Sequence, residues 1–178
     1  MQDLVAALPD FDFIFADTPE AGGVWMLDPP GGNKDPTTDP NWAANSIAYL
    51  DQLVNDNAPV YGLLGYSQGS AFIPVYLSQK TTANAFDRVM LYCGYVPDTH
   101  TGLVQQIDAV APFSIPAMVF SGELDTGFGP LAPAQAAKFT SPTTIHSQNT
   151  GHVLPVSSDD TFQSTVDFIN AGVSNTGK

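Results

Sequence analysis

Five short apolar runs, each closed by turn residues, alternate along this chain with longer segments of helical spacing. That alternation is the pattern of parallel strands joined by helices, since a parallel neighbour can be reached only through a long crossover. Strands are expected at Phe11 to Ala16, Val60 to Gly65, Arg88 to Cys93, Ala117 to Ser121 and Thr143 to Gln148. Helices are expected at Gln2 to Leu8, Asn41 to Asn55, Gln68 to Gln79, Leu131 to Phe139 and Asp159 to Ala171, with a small one around Thr101 to Val110. In the second of these, Trp42, Ile47, Leu50, Leu53 and Val54 recur near helical spacing, and Asp39 or Asn41 stands ready as a cap. The proline- and glycine-rich stretch Asp28 to Pro40 reads as a loop, and nothing reads as a linker. One α/β domain over residues 1–178 follows, an open, mostly parallel sheet of about five strands with helices on both faces.

Charge narrows what such a domain can meet. Five Lys and Arg stand against 18 Asp and Glu, for a net charge of −13. A field of that sign repels phosphate backbones and anionic lipid, so neither nucleic acid nor membrane is an expected partner. The sequence leaves a homo-oligomer open. The single cysteine, Cys93, permits no intrachain disulfide and no multi-cysteine metal site, and it lies in the apolar run Val89 to Cys93 as a small core residue would. No segment approaches the roughly 20 apolar residues of a membrane span, and the start MQDLVAALPD lacks the basic residues of a signal peptide. A cytoplasmic location is therefore expected.

In open sheets of this kind, functional groups gather where strands end and loops lead into helices. Gly65-Tyr66-Ser67-Gln68-Gly69 matches G-x-S-x-G, with an apolar strand before it and a helix after it. The five-residue pattern alone is weak, and its strand–turn–helix context is what makes it specific. A serine hydroxyl needs a base within hydrogen-bond reach, itself oriented by a carboxylate. Of three histidines, His146 lies inside a strand, His100 follows a neighbouring one, and His152 occupies the loop between the last strand and the last helix. His152 is the expected base. Asp125, just past the strand that precedes the histidine strand, is the expected acid, with Glu123 a close second and Asp98 and Asp87 behind. The N–H of Gln68 is the expected oxyanion donor, and Trp25, Met26, Leu27, Phe128, Pro130 and Leu131 are the expected pocket walls.

Gly-Tyr-Ser-Gln-Gly-Ser at 65–70, Gly122 with Asp125, and Thr-Gly-His-Val-Leu-Pro at 150–155 resemble the FSH family of serine hydrolases, within the α/β-hydrolases and near the carboxylesterase/phospholipase group. Phe13 to Pro19 resembles that family's strand ending in aspartate and proline, and the likeness runs from about Asp3 to Ile169. The resemblance implies Ser67 as nucleophile, Asp125 as orienting acid, His152 as base, esters or thioesters as small-molecule substrates, and no metal or organic cofactor. Family members carry a further strand ending in His-Gly whose loop supplies one oxyanion donor, and no counterpart is read here. The chain thus looks like a truncated or minimal α/β-hydrolase. Strand 11–16 is expected to move over and pair with strand 60–65, bringing a backbone N–H from Glu20 to Gly23 beside Ser67. A catalytically silent domain serving binding or assembly is the alternative in a different class.

Overall fold

The computed structural model describes residues 1–30, 32, 35–79 and 86–172. Four strands form one parallel sheet in the order β1 (Gly62–Tyr66), β2 (Arg88–Tyr92), β3 (Ala117–Gly122) and β4 (Thr143–Ser147). Six α-helices accompany them among the described residues: α1 (Gln2–Ala7), α2 (Ala44–Asp56), α3 (Gln68–Leu77), α4 (Thr101–Asp108), α5 (Ala132–Ala136) and α6 (Phe162–Asn170). Short 3-10 turns at Pro40–Ala43 and Gly129–Leu131 lead into α2 and α5. Asp39 caps the first of these, its Oδ1 accepting from the Asn41 N–H at 2.9 Å.

β2 and β3 are buried at every position, the mark of parallel strands covered on both faces. Their alternate residues sort cleanly between two cores. Val89, Leu91, Ala117 and Val119 join α2, α3, α4 and α5 on one face, while Met90, Tyr92, Met118 and Phe120 join Leu4 and Leu8 of the N-terminal segment and Phe162, Val166 and Ile169 of α6 on the other. Each fully buried side chain of this size contributes about 1.5–3 kcal/mol. Period-2 alternation is therefore what fixes which face every helix covers.

One expectation is overturned. Residues 11–18 form no strand, and the sheet has four strands among the described residues, not five. β1 pairs with β2 alone and is an edge, so the expected pairing of 11–16 with 60–65 does not occur. The physical reason lies in where its aromatics go. Phe11 and Phe13 pack onto the second core beside Tyr61 and Leu64, with the Phe11 and Tyr61 rings 5.0 Å apart. The two partly buried rings lie over the sheet without a ladder, and Ile14 and Phe15 stay exposed.

Candidate active site

The turn between β1 and α3 decides where Ser67 points. Ser67 has φ 53° and ψ −120°, a conformation that costs a non-glycine residue about 1–3 kcal/mol. The Ser67 N–H donates to the Tyr92 carbonyl of β2 at 2.9 Å, which anchors the turn. A side chain at Gly65 would place its Cβ 2.5 Å from the Gly69 carbonyl oxygen, so only glycine lets α3 start this close to β1. Gln68 is the first residue of α3, and its N–H has no acceptor within the helix.

Three strand ends then converge. His152 Nε2 lies 2.9 Å from Ser67 Oγ, and His152 Nδ1 lies 2.6 Å from Asp125 Oδ2. Asp125 is 5% exposed. Burial pulls its carboxyl upward, but the His152 hydrogen bond with the Phe128 and Gly127 backbone N–H groups outweighs this and holds it below the usual value. An ionised Asp125 can only accept, so the proton stays on Nδ1 and the Nε2 lone pair faces the serine hydroxyl. The Tyr66 hydroxyl donates to the His152 carbonyl at 2.6 Å, and the Phe128 and Tyr66 rings lie 4.5 and 5.2 Å from the imidazole. His152 is held through its ring and its backbone together.

Cys93 lies beside this group with φ 50°. Its thiol is pushed up to about 12 by burial first and by the Asp125 charge second, and it donates to the Val153 carbonyl at 3.4 Å. With Asp125 and His152 it makes the one cluster of metal-capable side chains found among the described residues, the ligand atoms lying within 4.8 Å of one another. Its protonated thiol and the Nδ1–Asp125 bond make these atoms a hydrogen-bonded set.

The other candidates take different places. Glu123 pairs with His146, Nε2 to Oε2 at 2.9 Å, away from Ser67. His100 is 4% exposed, with Nε2 2.9 Å from the Leu27 carbonyl oxygen, and is structural. Asp98 is an exposed turn residue, and the Asp87 N–H donates to Tyr61 at the opposite end of the strands from Ser67. Among the wall residues, Trp25 both lines the cleft over Ser67 and stacks on Phe72. Met26 is buried in the core behind it, Phe128 covers the imidazole, and Leu131 stands 40% exposed outside the cleft.

The cleft itself, about 330 Å³, is lined by Gly23, Val24, Trp25, Tyr66, Ser67, Gln68 and Gly69. Its wall is tied down by a side chain that sequence reasoning valued only for its backbone. Gln68 Oε1 accepts from the Trp25 N–H at 2.6 Å and the Met26 N–H at 3.3 Å, and Gln68 Nε2 donates to the Met26 carbonyl at 3.0 Å. Gly22 and Gly23, at φ 90° and 72°, let the chain turn into this strap. Tyr66 and the Gln68 amide stood inside the quoted motif, but their partners lie 86 and about 42 residues away and follow only from the fold.

A strained serine between a parallel strand and a helix, served by histidine and a buried carboxylate from the next strand ends, defines a serine hydrolase site on an α/β-hydrolase sheet. The model of the serine hydrolase (FSH1) family matches residues 24–164, and the chain belongs to that family. No curated protein matches its sequence. Among solved structures, a SOBER1 variant from Arabidopsis thaliana is similar with TM-score 0.57 at 15% identity, over 96% of this chain and 90% of that one. A carboxylesterase from Mesorhizobium loti gives 0.52 at 17%, over 78% of this chain and 66% of that one. An esterase from Exiguobacterium antarcticum gives 0.51 at 11%, over 85% and 78%. At such identities the likeness is one of fold. The chain spans just under two thirds of the Mesorhizobium enzyme's length. No helix among the described residues is long and apolar enough to cross a membrane.

Proposed function

We propose that this chain hydrolyses carboxylic esters through an acyl-enzyme formed on Ser67. The observation that carries the reading is the unbroken relay from Ser67 Oγ to His152 Nε2 at 2.9 Å and from His152 Nδ1 to Asp125 at 2.6 Å. In it, Ser67 Oγ attacks the ester carbonyl as Nε2 takes its proton, and the imidazolium returns that proton to the departing alkoxide. Water repeats the sequence on the acyl-enzyme and frees the acid. Asp125 holds the imidazole in the productive tautomer and stabilises its charged form.

The developing oxyanion needs two donors. One is the Gln68 N–H. The other is assigned to the Val24 N–H, because of the cleft wall's three N–H groups Gly23 donates to Glu20 and Trp25 donates to Gln68, while Val24 has no acceptor among the described residues. That choice replaces the expected donor within Glu20 to Gly23. Trp25 and Val24 offer an apolar wall, and a net charge of −13 repels anionic substrates, which supports neutral short- or medium-chain acyl esters. The ionised, buried acid argues against a silent binding or assembly domain, where nothing would keep such a relay aligned.

The test is labelling with a fluorophosphonate probe beside turnover of p-nitrophenyl esters of increasing chain length and of matched acyl-thioesters. The expected result is one label, lost in Ser67→Ala, and faster turnover of the short oxygen esters. A chain that neither labels nor turns over any ester, though folded, overturns the proposal.

A further inference from the structure

The histidine and the glutamate that the Ser67 relay leaves out form a second relay of their own. Ser121 of β3 and His146 of β4 are register partners in the sheet. Ser121 Oγ lies 2.9 Å from His146 Nδ1, and His146 Nε2 lies 2.9 Å from Glu123 Oε2. The two ring nitrogens have exchanged partners relative to His152, since here the serine is on Nδ1 and the carboxylate on Nε2. Ser121 and His146 both line a cavity of about 530 Å³, larger than the cleft over Ser67 and sharing no lining residue with it. A volume of that size is ordinary for a small-molecule site. The cavity exists because α5, with sequence Ala-Pro-Ala-Gln-Ala, meets β3 through side chains too short to fill the space. Val119, Phe139, Ala132 and Ala136 supply an apolar wall, and the Ser121–His146 pair, with Thr144 beside it, supplies the polar groups.

This second serine is not placed for acyl transfer. Ser121 sits within a strand, no helix starts after it to offer free N–H groups, and the Glu123 N–H beyond it already donates to the Ser147 carbonyl. An oxyanion formed at Ser121 would find no donors. What the relay does is set the polarity of one oxygen. Glu123 as a carboxylate can only accept, so with a neutral imidazole the proton sits on Nε2 and the Nδ1 lone pair takes the Ser121 hydroxyl proton. Ser121 Oγ is left with lone pairs and no proton to give. It is a hydrogen-bond acceptor, 8% exposed, set in an apolar cavity.

A ligand for such a site must bring a donor. The neighbouring Glu123 charge and the chain's net −13 repel a carboxylate, and the apolar wall penalises an ammonium ion. We propose that this cavity is a binding site for an uncharged amphiphile, an aliphatic alcohol whose chain lies against Val119, Phe139 and Ala136 and whose hydroxyl donates to Ser121 Oγ. None of these residues takes part in the Ser67 relay, so alcohol binding here stands or falls separately from ester hydrolysis.

The experiment is a titration of the full chain at pH 8 with 1-octanol and with its isomer 1-methoxyheptane, which has the same size and no donor, followed by alanine-methyl NMR. Octanol is expected to shift the Ala132 and Ala136 methyl signals and to bind roughly 3- to 10-fold more tightly than the ether, the span of one net hydrogen bond. Ser121→Ala is expected to erase the preference while the ether still binds. The same shifts in Ser67→Ala are expected, since the catalytic serine takes no part. Equal affinity for alcohol and ether in the unsubstituted chain overturns the proposal without recourse to any variant. So does the absence of shifts at Ala132 and Ala136, or a preference that survives in Ser121→Ala.

Discussion

Replacing Asp125 with asparagine removes a charge and keeps the shape, and its consequence can be followed atom by atom. Asp125 Oδ1 accepts the Phe128 N–H at 3.0 Å while Oδ2 accepts from His152 Nδ1 at 2.6 Å. An asparagine retains the first bond only by turning its NH2 toward the imidazole, where two donors would then face each other. The imidazole escapes by moving its proton to Nε2, which converts the acceptor aimed at Ser67 into a donor and removes the base. Restoring the working tautomer costs the charge-assisted hydrogen bond and leaves an N–H unpaired at a position 5% exposed, together about 3–6 kcal/mol. That corresponds to a loss of about 10²–10⁴ in kcat. The assay is kcat and KM for p-nitrophenyl butyrate, with thermal unfolding to show that the variant is folded. Glu123→Gln serves as the control, because Glu123 is exposed and binds His146, and it is expected to stay within about twofold of the parent. If Asp125→Asn keeps more than a tenth of the parental kcat, or Glu123→Gln carries the loss instead, the tautomer argument is wrong.

Gln68→Met removes the three hydrogen bonds to residues 25 and 26 and keeps the Gln68 N–H, so kcat is expected to fall about tenfold or more, and Gln68→Glu, which can still accept both N–H groups, to recover part of it. Equal kinetics for the two variants would count against the strap. Gly65→Ala drives a Cβ to 2.5 Å from the Gly69 oxygen and 2.6 Å from the Ser70 nitrogen, both backbone, and should cost about 3 kcal/mol in urea unfolding. Asp159 accepts from Ser147 Oγ at 2.6 Å and the Thr161 N–H at 2.9 Å, and although burial pulls its carboxyl upward, these bonds outweigh it and leave the value lowered. A carboxylate lowered in the folded chain stabilises it above the unfolded value of about 3.9. The deficit of Asp159→Ala, about 1–2 kcal/mol at pH 7, should therefore shrink as pH falls below about 4, and a deficit unchanged at pH 3 would contradict it.

What could be read before the fold was known divides along a physical line. β2 and β3 were legible because strands buried on both faces must be apolar throughout, and Val89 to Tyr92 and Ala117 to Phe120 are. Ser67, Asp125 and His152 stood out as candidates because each follows the end of a strand, and parallel strands bring their carboxyl ends to one edge. The run Phe11 to Ala16 looked equally regular, yet alternation reports only which side chains share a face and not where the backbone N–H groups find acceptors. Phe11 and Phe13 met that pattern by packing over Tyr61 and Leu64, and no ladder followed. The same distinction explains the second relay. Ser121, Glu123 and His146 each carried chemistry that the sequence displayed, but their meeting depends on β3 and β4 pairing residue 121 with residue 146. A slip of one residue would turn His146 to the other face and leave Glu123 without a partner. Strand ends are set by the order of elements, whereas contacts within the sheet are set by register. That is why the catalytic candidates were visible in the sequence and the Ser121 site was not.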